Sequence, residues 1–95
     1  MYNINTKEII EAKENEDMMS KLITENSALI WSIVKRFMGR GHEKEDLYQI
    51  GCIGFIKSIK RFNPEYDVKL STYAVPYILG EIKRFIRDDR TNKGK

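Results

Sequence analysis

Residues 44–62 read KEDLYQIGCIGFIKSIKRF, and their spacing decides the fold. Leu47, Ile50, Phe55, Ile59 and Phe62 recur near a helical period and give the segment an apolar side. Gly51, Gly54 and Ser58 fall three or four residues apart on one side of the same helix. Glycine inside a helix costs about 1 kcal/mol relative to alanine. Small residues repeated at this spacing are best explained by a second helix packed close against the first. Asn63-Pro64 ends the helix, because the residue before a proline is pushed out of helical geometry. A further side carries Asp46, Gln49, Ile53, Ile56 and Lys60, again every three or four residues. Its mix of apolar and polar groups would suit a partner-docking face. Periodicity alone favours an ordinary amphipathic helix whose isoleucines meet the core.

Downstream, residues 65–70 read as a connector, and Ser71 as the N-cap of a last helix over residues 72–89. Ala74, Val75, Ile78, Leu79, Ile82, Phe85 and Ile86 form its apolar face. Pro76 falls inside this helix, where it removes one backbone hydrogen bond and should bend the first turn. Such conflicts between propensity and pattern concentrate at functional sites.

Upstream, Thr6 is placed to cap a short helix over residues 7–13, and Asn15 or Asp17 to begin a second. Ser27 either continues that second helix or caps a third stretch reaching Phe37, with Leu29, Ile30, Ile33, Val34 and Phe37 as its buried stripe. Gly39 and Gly41 stop it. No strand or hairpin pattern appears, so the expected fold is all-α, a compact domain of three to four helices over residues 1–90 with a polar tail at 91–95.

A chain of 95 residues is one small domain, and 41% hydrophobic residues suffice for a compact helical core. Charged residues make up 33%, and the uninterrupted apolar runs are far shorter than a bilayer span. Residues 1–13 are polar and acidic, unlike a signal peptide. Cys52 is the one cysteine, with His42 as the one histidine, so neither an internal disulfide nor a metal cluster is expected. These features point to the cytoplasm and to no membrane partner. The net charge of +3 is uneven: residues 1–45 carry 7 Lys/Arg against 8 Asp/Glu, and residues 46–95 carry 10 against 6. The basic surplus is compatible with a polyanion but carries little weight alone.

No glycine-rich phosphate loop, metal-spaced cluster or nucleophile motif is present. His42 is expected to be solvated in a glycine-flanked loop, and Asp88-Asp89 to pair with neighbouring arginines. Neither a cofactor nor enzymatic activity is expected. The informative stretch is 68–89, VKLSTYAVPYILGEIKRFIRDD. It sets Lys69, Lys83, Arg84 and Arg87 among the aromatics Tyr73, Tyr77 and Phe85, with Tyr66 just before. Cations neutralise phosphates, and exposed aromatic faces stack on unpaired bases at about 1–3 kcal/mol per base. That combination suits single-stranded or partly opened nucleic acid. On pattern alone Phe85 is a core residue, and Tyr73 and Tyr77 are evenly balanced between core and surface.

The segments DLYQIGCIGFIKSI and STYAVPYILGEIKRFIRDD, in this order and at this spacing, resemble region 2 of the sigma-70 family. The versions here are most similar to the sporulation and general-stress sigma factors of endospore-forming bacteria, the forespore type above all. The resemblance runs from about Leu22 to Asp89. It implies a helical domain that binds core RNA polymerase and the promoter −10 region and catalyses nothing itself.

In that family the first segment docks on the clamp coiled coil of the large polymerase subunit. Asp46, Gln49, Cys52 and Ile56 stand at docking positions, with Ile53 and Lys60 on the same strip. Many members have asparagine where this chain has Cys52. The second segment captures unpaired bases of the non-template strand. Tyr73 matches the tyrosine that takes the place of a flipped base, and Ser71 and Thr72 match residues lining its pocket. Extruding a base costs a few kcal/mol, which the ring and the pocket's hydrogen bonds offset. Arg84 and Arg87, with Lys69, would meet phosphates, and Gly80 and Lys83 match positions that read the duplex just upstream.

There are departures. Primary sigma factors carry two tryptophans where this chain has Pro76 and Tyr77, and aromatics where it has Val68 and Leu70. Fewer wedges imply weaker spontaneous melting, which Pro76→Trp should raise in a transcription assay. A full sigma factor continues into an extended −10 domain and a helix-turn-helix for the −35 element, whereas this sequence stops at Lys95. That implies a shortened chain or a short protein working beside a separate −35 reader. The group's members are often held by an anti-sigma partner. The competing expectation is a split sigma-like interaction protein that binds polymerase or an anti-sigma factor without directing transcription. A small helical repressor would want a two-helix reader with a tight turn and a dimer face, and neither is clear in the sequence.

Overall fold

The computed structural model describes residues 6–93, with side chains over residues 7–88. The elements are α1 (Thr6–Ala12), α2 (Glu16–Glu25), α3 (Ser27–Val34), a 3-10 turn (Lys35–Phe37), α4 (Lys44–Arg61) and α5 (Leu70–Lys93). No strand occurs among the described residues, and the domain is all-α.

The helix count exceeds three to four because the chain breaks at Asn26. Asn15 caps α2, its side chain accepting from the Met18 backbone N–H at 3.0 Å. At Asn26 the backbone leaves helical geometry, with φ −114° and ψ 18°. Its buried amide donates to the Leu22 carbonyl at 2.8 Å. A side chain that bonds back to its own helix competes with the backbone ladder, so the chain restarts at Ser27. Gly39 and Gly41 then take φ of +81° and +94°, a region that side chains resist, and turn the chain toward α4.

Three expected boundaries shift. Helix α5 starts at Leu70, and Ser71 is a residue of its first turn, not its cap. The Lys69 carbonyl accepts the Tyr73 N–H at 2.9 Å. Burial of Leu70, only 3% exposed, draws the start two residues earlier. At its other end α5 runs past residue 89 to Lys93, since no glycine or proline intervenes before Gly94. Residues 91–93, expected in a polar tail, are therefore helical, and Gly94 and Lys95 lie outside the described residues. Thr6 opens α1 instead of preceding it.

The core gathers one face from each helix. Leu22, Ile30, Val34, Leu47, Phe55, Ile59, Ala74, Ile78 and Ile82 are fully buried. Each of the large ones stabilises the fold by about 1.5–3 kcal/mol. The most extensive helix pairing is α4 on α5. Gly51, Gly54 and Ser58 are all buried in α4, and at Gly54 an added Cβ would come within 2.7 Å of the Ile78 Cα. Close packing expected from the small residues is thus present. The buried Ser58 hydroxyl donates to the Phe55 carbonyl at 2.6 Å.

The N-terminal helices are tied to this pair by Lys13. Its ammonium donates to the carbonyls of Ile59 at 2.8 Å, Lys60 at 3.0 Å and Phe62 at 2.7 Å. The final carbonyls of a helix have no intrahelical partner. A cation there also meets the negative end of the helix dipole.

Candidate nucleic-acid and protein-binding surfaces

Helix α4 presents the strip expected of it. Asp46, Gln49, Ile53 and Lys60 are exposed, and Cys52 and Ile56 are partly so. Ile53 is 42% exposed. It does not meet the core, contrary to the amphipathic expectation, because Leu47, Phe55 and Ile59 already fill that side. Ile56 does pack partly against the core. Ile56 and Lys60 also line a concavity of about 310 Å³ with Ala12, Lys13 and Met19 from the α1–α2 corner. At the other end of the strip the Trp31 and Tyr48 rings stack, with centroids 4.4 Å apart and planes at 17°. This pair joins α3 to α4 across 17 residues of chain, and no local spacing announces it. Burial pushes the Cys52 thiol above its usual range, opposed by a hydrogen bond with Tyr48. The thiol is therefore protonated at neutral pH and acts as a small, weakly polar surface group.

Along α5 the tyrosines form a connected cluster. The Tyr73 ring lies 5.3 Å from Phe62, 5.5 Å from Tyr66 and 5.2 Å from Tyr77. The Tyr73 and Tyr77 hydroxyls are 3.1 Å apart. Tyr73 also reaches the Arg61 carbonyl at 3.5 Å, while the Arg61 guanidinium sits 6.0 Å over the Tyr77 ring. The hydrogen bond with Tyr77 pushes the Tyr73 phenol up to about 12. The same bond, with help from Arg61, lowers Tyr77. Both residues are half-buried. Phe85 is half-buried too, and His42 packs at 5.5 Å from its ring. His42 is thus a packing residue rather than a solvated one: the loop folds back over α5.

Other α5 residues line two concavities. Ser71, Thr72, Val75 and Pro76 line one of about 420 Å³ with Leu29 of α3. Pro76, Tyr77, Gly80, Glu81 and Arg84 line another of about 190 Å³ with Lys57 and Arg61 of α4. Pro76 borders both. Lys69, Thr72, Gly80, Lys83, Arg84 and Arg87 are exposed. The structure therefore brings Tyr73 and Tyr77 together with Arg61 and Phe62, and places Ser71 and Thr72 on the α3 side.

The sequence pattern did not reveal Lys57, Arg61 and Glu81. Lys57 Nζ is 2.7 Å from Glu81 Oε2 although the two are 24 residues apart. Arg84 meets the same oxygen at 3.4 Å. Only Arg61 had a local signal, a cation one residue before the aromatic Phe62. Among the described residues no three His, Cys, Asp or Glu side chains converge on a metal site. No helix among them is long and apolar enough to cross a membrane.

Comparison with known proteins shows the family. Residues 22–91 match the family model described as Sigma-70 region 2. The RNA polymerase sigma-F factor of Bacillus subtilis is 55% identical over 89 residues, which cover 92% of this chain and 35% of that protein. The RNA polymerase sigma-G factor of Clostridium acetobutylicum is 48% identical over 77 residues, covering 81% of this chain and 30% of that one. The RNA polymerase sigma-B factor of Bacillus subtilis is 35% identical over 78 residues, covering 82% and 30%. The chain spans about a third of the length of these curated relatives. With its helices, its exposed α4 strip and its aromatic and cationic α5, the chain belongs to the sigma-70 region 2 family.

Proposed function

We propose that this domain acts in bacterial transcription initiation as the part of a sporulation-type sigma factor that joins core RNA polymerase to the promoter −10 element. The exposed α4 strip, Asp46, Gln49, Cys52, Ile53, Ile56 and Lys60, docks on the clamp coiled coil of the large polymerase subunit. Ile53 supplies the apolar centre, and the charged and amide groups set the register. Helix α5 takes the non-template strand. Tyr73 and Tyr77 stack on unpaired bases, with Pro76 beside Tyr77, and Ser71 and Thr72 meet the strand from the α3 side of the helix. Lys69, Lys83, Arg84 and Arg87 neutralise phosphates, and Gly80 lets the backbone approach the strand. Binding is the whole of the activity, and it takes place in the cytoplasm with the polymerase. An anti-sigma partner would be expected to compete for the same α4 strip.

The observation that carries this proposal is the close seam between the two surfaces. At Gly54 an added Cβ would stand 2.6 Å from the Tyr77 carbonyl oxygen, so α4 and α5 meet backbone to backbone between the strip and the tyrosines. A polymerase docked on α4 would thereby position the tyrosines against DNA. The test is fluorescence anisotropy with a single-stranded −10 probe and a scrambled probe over a salt series. Wild type should prefer the −10 strand. Tyr73→Ala should weaken that binding by about tenfold, one stacked base, with little change in salt slope. Equal affinity of wild type for both probes would refute the DNA role.

A further inference from the structure

Glu81 stands in the cationic cleft between α4 and α5, where its carboxylate is the acceptor shared by Lys57 and Arg84, at 2.7 and 3.4 Å. Its side chain is only 13% exposed, against 44% for Lys57 and 55% for Arg84. The carboxylate is the inner member of the group and the two cations are the outer ones. Arg61 completes the rim, and Gly80 leaves the cleft open, since a Cβ there would meet nothing within 4 Å. Three cations thus surround a cleft of about 190 Å³ that holds one anion of the chain's own.

Ammonium and guanidinium groups bind carboxylate and phosphate oxygens through the same charge-assisted hydrogen bonds. We propose that Glu81 is a tethered competitor for a nucleic-acid phosphate, occupying the acceptor position between Lys57 and Arg84 and lowering the domain's affinity for DNA backbone. The assignment rests on the nucleic-acid role proposed for α5 and adds to it a phosphate site at Lys57 and Arg61. With the carboxylate in place, Lys57 and Arg84 are partly neutralised and release fewer counterions when a strand arrives. Backbone attraction alone is then weak, and stable binding falls to the base contacts of the tyrosines. The device therefore favours a matching strand over arbitrary DNA.

The test uses Glu81→Gln, which keeps a carbonyl acceptor for Lys57 and removes the charge. Two probes are measured over a salt series: oligo(dT) as a backbone-only ligand, and the −10 single strand. Glu81→Gln should bind oligo(dT) about 3- to 10-fold more tightly at low salt, with a slope steeper by roughly 0.7 for each freed cation. Adding Lys57→Met to Glu81→Gln should return both quantities toward wild type. Unchanged or weaker oligo(dT) binding by a folded Glu81→Gln, checked by circular dichroism, overturns the proposal. So does a gain that survives Lys57→Met, and so does failure of both proteins to bind either probe. If oligo(dT) binding rises while wild type shows no preference for the −10 strand, the promoter role fails and the Glu81 assignment stands. If the preference is present and Glu81→Gln changes nothing, the reverse holds.

Discussion

A Cβ on Gly54 would stand 2.6 Å from the backbone carbonyl oxygen of Tyr77, closer than side chains approach backbone in folded proteins. The neighbouring Tyr77 carbonyl carbon and Ile78 Cα, at 2.8 and 2.7 Å, are also main-chain atoms and cannot swing aside. Gly54→Ala must therefore push α5 away from α4. Overpacking of this kind costs about 1–3 kcal/mol, more than the roughly 1 kcal/mol that alanine gains in helix propensity. Urea unfolding should show Gly54→Ala to be the less stable protein. Gly80→Ala is the matched control, because its Cβ meets open space. It should be neutral or more stable by up to about 1 kcal/mol. Equal stability of the two variants would show that the seam is not held by backbone contact.

Lys13→Met keeps the apolar stem and removes the ammonium from the end of α4. The carbonyls of Ile59, Lys60 and Phe62 lose a common donor. A loss of about 1.5–3 kcal/mol is expected, the range for hydrogen bonds to a charged group. Hydrogen exchange should show the effect in α1 and in the last turn of α4, with the middle of α4 changed only through the global loss.

The Tyr73–Tyr77 pair gives a pH signature. A tyrosine in the unfolded chain ionises near pH 10, whereas Tyr73 in the folded chain holds its proton to about pH 12. The folded state binds that proton more tightly. The stabilisation from Tyr73 is complete below pH 10 and is lost as the pH rises through about 12. Tyr77 has the opposite sign. Its lowered value contributes stability that is complete above pH 10 and is lost as the pH falls through the folded value. The two belong to one coupled pair and oppose each other in alkali. Tyr77→Phe should bring the Tyr73 step in a near-ultraviolet absorbance titration back toward pH 10. A Tyr73 step still near pH 12 in that variant would show that the hydroxyl contact is not the cause.

Much of this architecture was legible because its signals are local. Asn15 caps α2 through a bond to Met18, three residues on. Gly51, Gly54 and Ser58 announce a close helix partner by spacing alone, and Asn63-Pro64 marks the end of α4 at Arg61, with only Phe62 between. The errors came where tertiary burial overrode a local preference. Leu70 enters the core and carries Ser71 into the helix. Phe85 offers a ring on which His42 packs, so a loop histidine is not simply solvated. Ile53 shows the same limit from the other side. Its place on the strip was plain, but its exposure depended on which residues of α4 the other helices would cover. The charge network of Lys57, Glu81 and Arg84 and the Trp31–Tyr48 stack join segments distant in sequence, and no periodicity within either segment reports them.

Polymerase binding tests the central claim most directly. The purified domain would be titrated with bacterial core RNA polymerase, as wild type, Gln49→Ala and Ile53→Glu. Both substituted side chains are exposed, so neither change should disturb the core. Wild type is expected to bind, Gln49→Ala to bind more weakly, and Ile53→Glu to lose about tenfold or more, as a charge placed in the apolar centre of an interface should. Absence of wild-type binding across the salt series, or binding unaffected by Ile53→Glu, would contradict the assignment of α4 as the polymerase-docking helix.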